Sequence, residues 1–220
     1  MNNPRIAEVS FDKNHLIPFT YPHKDSDLFT VFFQVLPKEK RVNMLAVSHF
    51  RVFAISKRAI IEDENMEKPF ALAIDSKAFI EAVKVHKGKG HVQISIFPDG
   101  ALFEFSGFIT SHVYINADSK AYMPNISLSM EPFDGEPAAY NPKYVAEAGK
   151  AWIQWGFDKR APLFMPNGDS MGGFVRAWGD DYYAALVMPV LTGDMDMNEY
   201  LLTMRKHLDT HQDDELAQSA

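Results

Sequence analysis

The stretch FALAIDSKAFIEAVK, residues 70–84, aligns without gaps on EPAAYNPKYVAEAGK, residues 136–150. Both place a short apolar run, then Asp75 or Asn141, then Lys-x3-Glu-Ala-x-Lys. Residues 70–74 read as a strand, and Asp75 or Ser76 caps a helix running to about His86. Phe79, Ile80 and Val83 fall on one face of that helix and Lys77, Glu81 and Lys84 on the other. In the second copy Asn141 caps and Pro142 takes the first helical position, where its missing N–H costs nothing. Tyr144, Val145, Ala148 and Trp152 line one face there, and Lys143, Glu147 and Lys150 the other.

The likeness continues outward. Ile96-Phe-Pro-Asp-Gly100 is echoed by Phe164-Met-Pro-Asn-Gly168. Strands are expected at 91–97, 101–105 and 109–117 after the first helix, and at 163–165, 173–178 and 182–190 after the second. Each unit therefore reads β-α-β-β-β. Upstream, 28–35, 42–48 and 51–55 read as strands ending a third copy whose β-α start is missing, because residues 1–27, with Pro4, Pro18 and Pro22, read as an irregular lead-in with room for one short strand. One such unit cannot bury its helix alone, so pairs should pack with helices side by side under a sheet. The expected fold class is α+β, with helices on one face of antiparallel sheets. Residues 1–130 are expected to form one domain, 131–191 a second unit and 192–220 a tail with an amphipathic helix.

Composition narrows function. The 220 residues are 46% hydrophobic and 23% charged, enough for a sizeable core and too apolar for a disordered chain. The net charge of −7 excludes a uniformly basic nucleic-acid binder. It is unevenly placed: Asp194, Asp196, Glu199, Asp209, Asp213, Asp214 and Glu215 stand against only Arg205 and Lys206 after residue 191. The body is nearly balanced, so local charge matters more than the total. Cysteine is absent, which removes disulfides, thiol catalysis and thiolate metal sites. Residues 1–10 lack an apolar core for a signal peptide, and no apolar run approaches a membrane span, so a cytoplasmic protein is expected. The most basic surface in prospect is the exposed stripe of the two helices, with Lys87, Lys89, Lys159 and Arg160 at their exits.

Three local segments carry a resemblance. Leu45-Ala-Val-Ser-His-Phe-Arg-Val-Phe53 resembles a segment of the middle domain of the bacterial DNA polymerase III beta subunit, the sliding clamp. Tyr122-Met-Pro-Asn-Ile126 resembles the segment joining that family's middle and last domains. Tyr140-Asn-Pro-Lys-Tyr144 with Leu186-Val-Met-Pro-Val190 resembles a helix start and the C-terminal segment of the last domain. The resemblance implies the DNA-clamp (processivity) fold and a non-enzymatic oligomeric ring around double-stranded DNA. Its helices would meet phosphates without reading sequence, through Lys77, Lys84, Lys87, Lys89, Lys143 and Lys150. It also implies a pocket for short polymerase and clamp-loader peptides. By motif position this falls at Arg51 and Val52 on one side and Leu186, Val187, Met188, Pro189 and Val190 on the other.

The chain departs from that family in three ways. It lacks a counterpart of the first of three domains. His49-Phe50 stands where the family has Gly-His, giving a bulkier pocket floor, and after Val190 the chain runs on into its acidic tail. The Tyr200, Leu201 and Met204 face of that tail is a candidate to fold back onto the pocket. The short length suggests a phage or mobile-element version. An alternative of another class is an adaptor that keeps the clamp fold and peptide pocket without encircling DNA.

Other motifs are decoys. Gly168-Asp-Ser-Met-Gly-Gly173 looks like a serine-protease nucleophile loop, but Pro166-Asn167-Gly168 explains it as a turn, so no catalytic role is expected for Ser170. Asp194 to Glu199 begins like a calcium loop but has Glu199 where glycine is required. His207 and His211 lack a third ligand. No metal and no cofactor are expected, and Trp152, Trp155 and Trp178 are expected in the core.

Overall fold

A computed structural model describes residues 4–22, 29–62, 66–86, 89–106, 110–118, 138–157, 164–167 and 171–190. The strands are β1 (Ala7–Asp12), β2 (Thr30–Leu36), β3 (Arg41–Val47), β4 (Arg51–Arg58), β5 (Ile60–Ile61) and β6 (Phe70–Ile74), then β7 (His91–Phe97), β8 (Gly100–Phe105), β9 (Ser111–Asp118), β10 (Gly172–Trp178) and β11 (Asp181–Val187). The helices are α1 (Ser76–Val85), α2 (Pro142–Gln154) and a 3₁₀ helix, η1 (Lys13–Thr20). All strand pairs are antiparallel, in the order β10-β11-β4-β3-β2-β6-β9-β8-β7-β1-β5. By contacts the chain divides into Met1–Val190 and Leu191–Ala220. The second of these, including the amphipathic stretch read there, lies outside the described residues, as do Lys87, Lys159, Arg160, Ser170 and the connector segment 122–126.

The lead-in is regular over most of its described length, and the short strand it had room for is β1. Residues 7–12, AEVSFD, alternate strictly: Ala7, Val9 and Phe11 are buried, while Glu8, Ser10 and Asp12 are not. Asp12 then caps η1 by accepting from the Asn14 N–H at 2.8 Å. Pro18 lacks the N–H that an α-helix would aim at Asn14, so the turn stays 3₁₀. Thus the β-α start expected to be missing is present, with a short 3₁₀ helix in place of an α-helix.

With that start restored, residues 7–118 hold two equivalent units. β1-η1-β2-β3-β4 matches β6-α1-β7-β8-β9. The first strand of each unit pairs with the second strand of the other: β1 with β7 and β6 with β2. Each first strand also touches the end of its own unit over two residues, Ala7↔Ile61 and Glu8↔Ile60 in one, Ala73↔Asp118 and Ile74↔Ala117 in the other. Because β5 continues β4 after one residue, the sheet curls until it meets itself. Arg5 fastens the junction, its Nε donating to Glu62 at 2.8 Å while its Nη1 reaches Ser95 at 3.3 Å. The third unit contributes α2, β10 and β11, with β11 on the edge of β4. The strands expected around Tyr140 and Met165 are single bridges, Tyr140↔Pro189 and Met165↔Gly173.

Both helices pack against η1 on the concave side of the sheet. One core runs through all three units: Phe33, Met44, Phe53, Phe79 and Phe103 share it with Ala148, Trp152, Phe174 and Val187. Trp152 and Trp155 are buried as expected, whereas Trp178 is 53% exposed. Its strand is the sheet's terminal one, and beyond it, among the described residues, only Met165 pairs, with Gly173 at the strand's other end; the ring lies beside Phe157 and the Arg176 guanidinium.

His15 of η1 is packed edge-on against Tyr183, and its Nδ1 has no hydrogen-bond partner among the described residues. Burial holds its imidazole down at about 4, against an ordinary 6.5. The folded chain therefore keeps it neutral where the unfolded chain takes up a proton. Its contribution is whole above about pH 6.5 and drains away as pH falls toward 4, by roughly 3 kcal/mol. Urea midpoints measured from pH 7 to 4 should fall less steeply for His15→Leu than for the unaltered chain.

Candidate nucleic-acid interface and peptide patch

Helix α1 starts where Asp75 Oδ1 accepts from the Lys77 and Ala78 N–H groups, at 2.9 and 3.0 Å. Helix α2 starts where Asn141 Oδ1 accepts from the Lys143 N–H at 3.0 Å. These matched caps set matched faces. Phe79, Ile80, Ala82 and Val83 are buried on α1, and Ala148, Ala151 and Trp152 on α2. Lys77 and Lys84 on α1, and Lys143 and Lys150 on α2, are all exposed. Within each pair the lysines are seven residues, or about 10.5 Å, apart along the helix.

The fifth described candidate, Lys89, is also exposed, and beside His91 the fold brings it Lys13, which the sequence did not announce. The Lys13 N–H donates to the Gly90 carbonyl at 3.0 Å, and His91 follows Gly90 into β7, so Lys13, Lys89 and His91 gather at one end of α1. Gly90 sits at φ +126, where a side chain is strained, and a Cβ there would meet the Ser106 carbonyl at 3.1 Å.

The two stripes are not equivalent. Glu81 is exposed, but Glu147, expected on the solvated face, is drawn inward and ion-paired to Arg51. Arg51 is 0% exposed, with its guanidinium 4.3 Å over the Tyr144 ring and Nη2 3.5 Å from the Pro22 carbonyl. Arg51 is thus committed to α2 from inside.

Strand alternation divides the expected peptide pocket. The register pairs Leu186 with Val52 and Val187 with Arg51, so these four residues do meet. Arg51 and Val187 face the main core, while Val52 and Leu186 face the convex side. There they join a second buried apolar cluster with Phe32, Leu45, Ala73, Met171 and Ala184. The pairing explains it: Ala73, Phe32, Leu45, Ala54, Ala184 and Val175 form one continuous cross-strand row. A parallel row, Gln34, Asn43, Ser56 and Tyr182, is polar or edge-exposed. The apolar band is therefore narrow.

Beside this band lies an exposed apolar patch. Met188 is 38% exposed, Val190 48% and Phe50 46%, and Pro189 is half-buried. The Met188 N–H donates to the Phe50 carbonyl at 2.9 Å, and the Phe50 ring stacks on Tyr144 with centroids 5.8 Å apart. The Val190 N–H donates to the Ala139 carbonyl at 2.7 Å. Tyr144 completes a surface that motif position alone did not assign to it, and Phe50, read from the sequence as a bulkier floor, stands exposed in it. A separate cavity of about 330 Å³ lies where β4 passes into β5, lined by Glu8, Ser10, Arg58, Ile60 and Gln93 among others; none of the expected site residues lines it.

No protein-family model matches the sequence, and no curated protein matches it. Solved structures do. The DNA polymerase III subunit beta of Pseudomonas aeruginosa superposes with a TM-score of 0.55 at 11% identity, over 86% of this chain and 68% of that one. The Helicobacter pylori beta clamp bound to a DNA ligase peptide gives 0.54 at 6% identity, over 85% and 66%. The chain has the sliding-clamp fold. PCNA from Thermococcus kodakaraensis shares it, with a TM-score of 0.50 at 11% identity, over 84% of this chain and all of that one. The clamp fold here spans about two thirds of the length of the bacterial clamps it matches. Among the described residues no group of three or more acidic or histidine side chains is placed to hold a metal, and no helix is long and apolar enough to cross a membrane.

Proposed function

We propose that this chain is a DNA polymerase processivity factor of the sliding-clamp type, an oligomer that encircles duplex DNA and recruits polymerase or loader peptides. The observation that carries the reading is the matched pair of helices, each exposing two lysines seven residues apart on the concave side of a clamp-fold sheet. Lys77, Lys84, Lys89, Lys143 and Lys150, with Lys87 beyond the described residues, meet phosphates as point charges. Lysine suits a ring that must slide, because it neutralises phosphate without a fixed bidentate geometry. Sequence goes unread, and no catalytic group is assigned.

The peptide site is the patch of Phe50, Tyr144, Met188 and Val190, with Val52 and Leu186 beneath. The likeness to a beta clamp bound to a DNA ligase peptide supports peptide docking as the role of such a surface. Its anchors are apolar, so affinity comes from one or two buried side chains and stays exchangeable. Arg51 acts from below, by holding Tyr144 and Glu147 in place.

Free strand edges support ring closure. β10 ends the sheet, its outer edge met among the described residues only by Met165 at Gly173, and β9 pairs with β6 only at Ala117 and Asp118, leaving the rest of that edge open among the described residues. Its counterpart β4 uses the same edge to hold β11. A head-to-tail contact between β9 and β10 of successive copies would repeat that pairing. The boundaries 1–130 and 131–191 then mark one full and one partial clamp-like unit.

Two measurements test the proposal. Binding to two unrelated duplexes should be equal, and log K should fall linearly with log salt, with a slope of about −0.9 per phosphate contacted. Light scattering at micromolar concentration should give a multiple of the 24.9 kDa chain. A monomer that binds polymerase peptides but not DNA would support the adaptor reading instead.

A further inference from the structure

We propose that Trp178 and Arg176, at the end of β10, form a docking platform for an unpaired nucleotide of single-stranded DNA. The indole takes the base by stacking, and the guanidinium takes the adjoining phosphate. The inference goes beyond the duplex reading above and needs no closed ring.

Three observations converge on it. The first is exposure. Trp152 and Trp155 are buried in the core, whereas Trp178 keeps 53% of its surface in water. The second is the company Trp178 keeps. The Arg176 guanidinium lies 5.2 Å from the Trp178 ring centroid, 4.7 Å from that of Phe157 and 5.8 Å from that of Trp152. Arg176 is half-buried, and among the described residues it meets these rings and no carboxylate. The rings hold the plane of the guanidinium by cation–π attraction, and its planar N–H fork suits phosphate. A cation without a carboxylate, set beside an exposed aromatic face, matches the two halves of a nucleotide. The third is direction. Phe174 belongs to the main core, so Arg176 and Trp178, two and four residues further along the strand, stand on the same concave side. Helix α2 lies on that side too, and its exposed Lys143 and Lys150 extend the positive charge there.

The neighbouring acids do not cancel this charge. In the turn after Trp178, Asp180 pairs with Arg58 at 3.1 Å and Asp181 with Lys57 at 3.0 Å. The open form of the platform favours a strand over a free nucleotide, because small ligands bind in clefts that bury most of their surface. The cavity of about 330 Å³ lies elsewhere, where β4 passes into β5. Stacking on an indole is open to every base, so the platform would grip single strands without reading them. A head-to-tail contact through the edge of β10 would engage backbone groups, whereas Arg176 and Trp178 project from the face of the strand.

Titrating the full-length chain with a short oligodeoxythymidylate, followed by tryptophan emission, tests the platform. The unaltered chain should show saturable quenching. Trp178→Leu should abolish the quench and weaken binding about fivefold or more, the range for losing one stacked base. Trp178→Phe should restore the binding without the quench, which separates lost stacking from a damaged fold. Arg176→Gln should keep the quench at saturation and lower the single-strand salt slope by about 0.7, one phosphate contact. An abasic strand of equal length and a blunt duplex should not quench. Quenching that survives Trp178→Leu overturns the proposal, as does an affinity loss below about fivefold or equal quenching by the abasic strand. Thymidine monophosphate that binds as tightly as the oligonucleotide overturns it in favour of a free nucleotide. Emission that shifts with protein concentration before DNA is added overturns it in favour of a second copy covering Trp178. None of these readouts needs duplex binding or a ring, so the clamp reading and the platform can fail separately.

Discussion

Arg51→Met should cost the folded chain about 3–5 kcal/mol, the range for breaking a buried ion pair by removing one partner. The side chains of Arg51 and Glu147 are 0% and 13% exposed, so the carboxylate left behind cannot recover full hydration. The loss goes beyond charge. The guanidinium also lies over the Tyr144 ring, and Tyr144 is the floor on which Phe50 stacks. Glu147→Gln should be milder, because the amide oxygen still accepts from Arg51. Arg51→Met/Glu147→Met should regain most of the stability, since two apolar side chains of similar volume need no partner. Urea unfolding of the four proteins gives the coupling free energy directly. A loss under 1 kcal/mol for Arg51→Met would mean the pair is not buried in solution. The double variant carries a second consequence. If Arg51 serves only to position Tyr144 and Glu147, the restored double variant should still bind weakly at the peptide patch, because the aromatic floor is no longer fixed.

The repeat made much of this architecture legible. Gap-free alignment of residues 70–84 with 136–150 located both helices, their caps and their lysines, because capping and amphipathicity are local properties. Two features were not local. The β1-η1 start hid behind Pro18, since a proline inside a helical segment reads as a breaker, yet here it only tightens the turn to 3₁₀. The alternation of AEVSFD was the available signal for β1. The fate of Arg51 was invisible for a different reason. Its partner Glu147 is 96 residues away, and nothing in Lys-x3-Glu-x2-Lys tells which glutamate of the two copies turns inward. The proposed peptide patch was only partly legible. Motif position named Met188 and Val190, which are exposed, but period-two alternation sends Arg51 and Val187 to the opposite face, and Phe50 and Tyr144 meet only after folding.

Reversing four charges, Lys77→Glu, Lys84→Glu, Lys143→Glu and Lys150→Glu, should abolish DNA association under conditions where the unaltered chain binds. Each phosphate contact contributes about 0.9 to the salt slope, so four lost contacts flatten it by nearly 4. At about 0.1 M salt that is a loss on the order of 10³-fold per chain, before any repulsion from the new carboxylates. The fold should survive. All four side chains are exposed, and exposed substitutions typically change stability by within about 0.5 kcal/mol each. Lys84 lies in the last turn of α1, where a cation favours the helix dipole, so its reversal should cost the most of the four. Neutralisation to glutamine at the same positions should give an intermediate loss with the same flattened slope, which separates lost contacts from added repulsion. Met188→Asp should leave the salt slope unchanged, because Met188 is uncharged and supplies no phosphate contact. If the fourfold reversal leaves both affinity and slope intact, the helices do not face DNA, and the adaptor reading takes precedence.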